Sequence, residues 1–189
     1  MAADKLLPAK ERIIKAAERL FYDEGIQAIG IDRIIQEAGV ALNTLYKYFP
    51  SKAVLVERYL RDRDVRWRKW FNSYTRPEAT FKHNILSLFD ALNDWFHEET
   101  FRGCAFINAA GEFGDTKSDI FEISREHKKN IYLDVLKLCH DSNVINPEKL
   151  TRQVMIIIEG AIVRAYLNDD KDAALWAKEV CLLLLENYD

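Results

Sequence analysis

Residues 31–49 read IDRIIQEAGVALNTLYKYF. Ile31, Ile34, Ile35 and Ala38 recur at helical spacing before Gly39, and residues 42–48 suit a second short helix after it. Two short helices joined by a turn of about three or four residues make a helix-turn-helix. Such a turn needs one residue able to adopt positive φ, and Gly39 supplies it. Ala38 leaves room for close helix approach, while Val40 and Leu45 fill the wedge between the helices. A helix–glycine–helix corner also occurs in ordinary bundles, so the motif by itself leaves both readings open.

The outer surface of the second helix would carry Leu42, Asn43, Thr44, Lys47 and Tyr48. That mixture suits DNA. Asparagine pairs with adenine in the major groove, leucine meets thymine methyl groups, and lysine, threonine and tyrosine commonly reach phosphates. Ser51 is a natural N-cap for the next helix. Lys52 stands beside it, where backbone N–H groups and the ammonium would clamp a phosphate together.

Outward from this segment the pattern stays helical. Period-two alternation is scarce, and the 4 prolines and 7 glycines act as punctuation. Helices are expected at about 8–24, 31–38, 42–48, 51–71, 80–98, 104–113, 118–141, 147–167 and 170–187, an all-α fold. With 189 residues, 49% of them hydrophobic, the chain can bury a sizeable core. No stretch approaches the ~20 apolar residues of a membrane span, and the N-terminus lacks the apolar run of a secretory signal, so a cytoplasmic protein is expected. Three cysteines without CxxC spacing read as reduced thiols, and the 4 histidines lack metal-ligand spacing. Neither a metal nor a cofactor is expected.

The net charge of −3 argues against a general nucleic-acid coat. Its distribution is uneven: residues 1–70 hold 14 Lys/Arg against 10 Asp/Glu, and the remainder holds 13 against 20. The first part carries +4 and the rest −7, which would orient the front of the molecule toward a polyanion.

The stretches RIIKAAERLFYDEGIQAIGIDRIIQEAGV (12–40) and NTLYKYFPSKAVLVERYL (43–60) closely resemble the DNA-binding domain of the tetracycline-repressor (TetR) family. The resemblance implies a recognition helix in the major groove and DNA contacts from Arg33, Asn43, Thr44, Tyr46, Lys47, Tyr48 and Lys52, with Leu42 beside them. Two departures stand out. Ile29-Gly30 replaces a frequent Thr-Ser ahead of the second helix, and Ala41 replaces a capping residue after Gly-Val. Phosphate anchoring would then lean on Lys47, Tyr48 and Lys52.

Residues 1–52 are accordingly expected to form the DNA-binding domain, and 53–189 an effector-binding and dimerisation domain. Within the latter, WFHEETFRGCAFINAAGEF (95–113) resembles a motif of one branch of the same family, as does the pair His127-Lys128. A pocket lined by Trp95, Phe96, Cys104, Phe106, Phe113 and Ile131, with Asn108, Glu112 or His127 as polar anchors, would take a small, partly apolar inducer. The same residues also serve as ordinary core and helix buttresses in a packed domain. For dimerisation the last two helices offer Val154, Ile158, Ala161, Ile162 and Ala165, and Leu182 and Leu183. The expectation is a ligand-responsive homodimeric repressor on near-palindromic operator DNA. The alternative is a helical small-molecule-binding protein or enzyme with no DNA role. No paired carboxylates, catalytic triad or ligand cluster favour an enzyme.

Overall fold

The computed structural model describes residues 7–140 and 144–188. Among these, nine α-helices and no strand are found: α1 Ala9–Glu24, α2 Ile31–Ala38, α3 Leu42–Tyr48, α4 Lys52–Asn72, α5 Phe81–Phe96, α6 Ala105–Phe113, α7 Asp119–His140, α8 Pro147–Leu167 and α9 Ala173–Leu185. The expected seventh helix extended to Asp141, which lies outside the described residues. The expected last helix began at 170. Asp169 instead turns the chain at φ 51°, the Ala173 N–H closes a turn on the Asp170 carbonyl, and the helix proper starts at Ala173.

Compactness divides the chain into two units, Met1–Asp64 with Cys104–Glu126, and Val65–Gly103 with His127–Asp189. The first therefore holds α1–α3, the start of α4, α6 and the start of α7.

In the first unit Ile13, Ala16, Ala17, Leu20 and Phe21 form the buried stripe of α1. Against it pack Ile34 and Ala38 of α2 and Leu45 of α3, all buried. Gly39 closes α2 in the left-handed region at φ 60°, and a Cβ there would sit 3.3 Å from Arg12 Nη1. The reason is local: Arg12 Nη1 donates to the carbonyls of Ala38 (2.8 Å) and Gly39 (3.0 Å), so a guanidinium satisfies the exposed C-terminal carbonyls of α2. Ile29 is buried, so the departure from Thr at this position trades a hydroxyl for core packing. Tyr59 of α4 tilts against Phe21 at 5.6 Å, and Arg63 lies 3.7 Å over the Tyr22 ring.

In the second unit α9 packs on both α5 and α8. Arg68 grips Asp134 through two hydrogen bonds of 2.8 Å, joining α4 to α7, and Lys128 holds Glu159 at 2.8 Å, joining α7 to α8. Gly103 (φ 72°) admits Tyr166, whose ring carbon would stand 2.9 Å from an added Cβ. Cys139 and Cys181 are fully buried free thiols. Burial pushes the Cys181 thiol up to about 12 and Cys139 above its ordinary range, so neither is a nucleophile at neutral pH.

Candidate functional site

The α2–turn–α3 segment sorts its side chains cleanly. Ile34, Ala38, Leu45 and Phe49 are buried, whereas Leu42, Asn43, Tyr46, Lys47 and Tyr48 are exposed and Thr44 is half-buried. Leu42 and Tyr46 are each 43% exposed, although large apolar and aromatic groups ordinarily gain from burial. The outer face of α3 thus presents one amide, one ammonium, two phenols and a leucine on a rigid three-helix scaffold. Its chemistry matches base edges and phosphates. Arg33 is also exposed on α2, with Glu24 4.0 Å from its guanidinium.

Phosphate anchors are arranged less evenly. The Ser51 hydroxyl accepts from the Val54 N–H at 3.3 Å, so it caps α4 as expected. Lys52 is half-buried. Burial lowers its pKa below the ordinary lysine value, and the Glu112 carboxylate partly offsets that. The N-caps of α2 and α3 are bare: Gly30 and Ala41 make no side-chain cap bond. Ala41→Ser should therefore stabilise the protein by about 1 kcal/mol. For a chain of this size that raises the melting temperature by about 2–4 °C. An unchanged melting curve would show that the α3 N-terminus is already satisfied.

The residues expected to line an effector pocket fall into both units. Trp95, Phe96, His127 and Ile131 are buried in the second unit. There the Trp95 and His127 rings both meet Trp67 edge-on, at 5.4 and 5.7 Å, and Trp95 also contacts Phe96 and Phe101. Trp67 stacks on Phe71 at 4.7 Å, and its buried indole N–H has no acceptor among the described residues. Trp67 is not among the residues that the sequence places at the pocket. The i, i+4 pair Trp67 and Phe71 was the available signal.

Cys104, Phe106, Asn108, Glu112 and Phe113 belong to the first unit, with Cys104 and Phe106 buried and the others half-buried. Glu112 has a definite partner. Its Oε2 accepts the Gln27 backbone N–H at 2.6 Å, and both carboxylate oxygens lie 3.5 Å from where a Gly25 Cβ would stand. A carboxylate on α6 thus fastens the turn between α1 and α2, where the left-handed Gly25 (φ 90°) leaves space for it. Glu112→Ala should cost about 1 kcal/mol, the middle of the range for such a bond, and Glu112→Gln, which keeps an acceptor, should cost less. Thermal melts of the three proteins check this; coincident melts would remove Glu112 from the turn.

Five of the residues expected at a dimer interface are placed elsewhere. Val154, Ile158, Ala161, Ile162 and Ala165 are all buried within the protomer, on the α8 face turned to its own core. Leu182 and Leu183 are exposed, as an interface requires. Beside them on α9 lie exposed Leu175, Trp176 and Val180, and α8 exposes Ile156, Val163 and Leu167 on the face opposite its buried stripe.

A helix-turn-helix with its polar reading face solvent-exposed defines a DNA-binding protein. A family model described as bacterial regulatory proteins, tetR family, matches residues 13–59. Residues 13–59 thus carry the DNA-binding domain of TetR-family regulators. It is 23% identical over 162 residues to the HTH-type transcriptional regulator YjdC of Escherichia coli strain K12, covering 84% of each chain. The structure is similar to that of SCO4454, a TetR-family transcriptional regulator from Streptomyces coelicolor, with a TM-score of 0.87, 26% identity and 95% of each chain covered. A TetR transcriptional regulator from Chloroflexus aurantiacus J-10-FL shares the fold at a TM-score of 0.82 and 18% identity, over 98% of this chain and 97% of that one. These relatives are regulators, not enzymes. Among the described residues no helix is long and apolar enough to cross a membrane, and no group of three or more metal-ligating side chains occurs.

Proposed function

We propose that the protein is a homodimeric repressor that reads a near-palindromic operator and is released by a small, partly apolar inducer. The observation that carries the reading is the exposed set Leu42, Asn43, Tyr46, Lys47 and Tyr48 on one face of α3, above a buried scaffold. DNA contacts are assigned to these residues with Thr44, Arg33 and Lys52. Dimerisation is assigned to the exposed stripes of α8 and α9, because eight large apolar side chains on two neighbouring helices exceed what scattered surface hydrophobics explain.

The inducer is assigned to the aromatic groups around Trp95 and His127. The orphan indole N–H of Trp67 supports a ligand carrying a hydrogen-bond acceptor. Release works through differential affinity: an inducer that binds more tightly to a conformation unable to hold both half-sites draws the protein into that conformation. A mobility-shift assay on the DNA upstream of the protein's own gene tests the reading. A band that survives excess unrelated DNA supports it, and one lost equally to any DNA refutes it.

A further inference from the structure

A cavity of about 530 Å³ opens in the second unit, at the C-terminal end of α4, the connection to α5 and the later part of α7. Its wall includes Asn72, Arg76, Phe81, Asn84, Asp134 and Lys137. The volume falls in the range that small-molecule sites occupy. We propose that this cavity is a binding site for a small organic carboxylate, separate from the aromatic cluster around Trp67.

The charge arrangement gives the sign of the ligand. Asp134 is the one carboxylate in the lining, and both of its oxygens are engaged: Oδ1 accepts from Arg68 Nη2, and Oδ2 accepts from Arg68 Nε and from Asn72 Nδ2 at 2.9 Å. Its charge is therefore matched inside the protein. Arg76 and Lys137 make no ion pair among the described residues, and both are exposed at the cavity. Arg76 is nonetheless fixed in place. Its backbone N–H donates to Asn84 Oδ1 at 2.8 Å, and its carbonyl accepts from Asn84 Nδ2 at 2.9 Å. A buried asparagine thus pins the residue whose guanidinium is left over, a geometry suited to bidentate grip of a carboxylate.

The rest of the wall gives the ligand's body. Pro77, Ala79, Phe81 and Leu138 form the apolar part, so an inorganic ion would leave half the site unused. An aryl or short alkyl carboxylate fills both halves, with its charge between Arg76 and Lys137 and its carbon skeleton against Phe81 and Leu138.

The probe is 4-fluorobenzoate, followed by fluorine NMR titration of the full chain without DNA, so the outcome is independent of operator binding. Saturable binding is expected, at least tenfold tighter than that of neutral 4-fluorobenzamide, and weakened at least tenfold in the Arg76→Gln/Lys137→Gln double variant. Circular dichroism confirms that the variant is folded, and each single substitution, expected to weaken binding severalfold, serves if the double one is not. Non-saturable binding, equal affinity for the amide, or unchanged affinity in the folded variants overturns the site. Displacement of the probe by an equal concentration of inorganic phosphate overturns the organic part of the assignment.

Discussion

Trp176→Asp combined with Leu183→Asp should turn the protein into a monomer and weaken specific operator binding by more than about a hundredfold, within the range that separates specific from non-specific DNA binding. Both side chains lie on the outer stripe of α9, exposed by 56% and 63%. Each large apolar side chain buried at an interface contributes about 1.5–3 kcal/mol. A two-fold axis uses every residue twice, so the two substitutions remove four such contributions, about 6–12 kcal/mol. A dimer of micromolar to nanomolar affinity has about 8–12 kcal/mol to lose. The substitutions therefore take most of the association energy, and they add four carboxylates that repel across the axis. The protomer fold should survive, because neither side chain is part of its core. Light scattering after gel filtration reads the mass, and fluorescence anisotropy reads the operator affinity. A dimer that persists at micromolar concentration would move the interface off α9.

Asn43→Ala should have the second-largest effect, and a different signature. Asn43 is the second residue of α3 and is exposed, so its loss leaves the wedge around Leu45 and Phe49 intact. The N-terminal residues of a recognition helix are those that reach base edges. An amide paired to adenine discriminates by about 1–3 kcal/mol. A symmetric dimer makes the contact twice, which gives about 2–6 kcal/mol, a loss of roughly thirtyfold or more. The loss should be confined to operators carrying the cognate base, and binding to substituted operators should change little. Lys47→Ala should instead weaken every sequence alike and reduce the salt slope by about 1. Equal losses on all operators for Asn43→Ala would reassign it to the backbone.

The two halves of the molecule differed in how much their sequence revealed. In α1 and α2 the core residues recur at helical spacing, so periodicity picked out Ile34, while on α3 Leu45 is buried although Leu42 and Tyr46 face outward with Asn43 and Lys47. Gly39 was legible because positive φ leaves few other residues in that place. Arg12 was not, since its bonds to Ala38 and Gly39 span more than 25 residues of chain and no local pattern marks them.

Helix α8 shows the opposite limit. The run Ile156-Ile157-Ile158 and the outer Val163 and Leu167 make it apolar nearly all round, so its stripe could not say which face turned inward. The regular series Val154, Ile158, Ala161, Ile162 and Ala165 belongs to the protomer core, and the less regular Ile156, Val163 and Leu167 face outward. Glu112 was legible as a polar residue on α6, but its partner Gln27 stands 85 positions away. The sequence reading made it a ligand anchor, where the structure shows it holding the α1–α2 turn.

The central claim is that two copies of α3 read two halves of one operator. DNase I footprinting of the protein on the DNA upstream of its own gene tests this most directly. The account predicts one protected segment centred on a near-palindrome, with half-sites one helical turn or a multiple apart, that disappears at the same concentration in Asn43→Ala. Protection without dyad symmetry, or a footprint unchanged by Asn43→Ala, would contradict it.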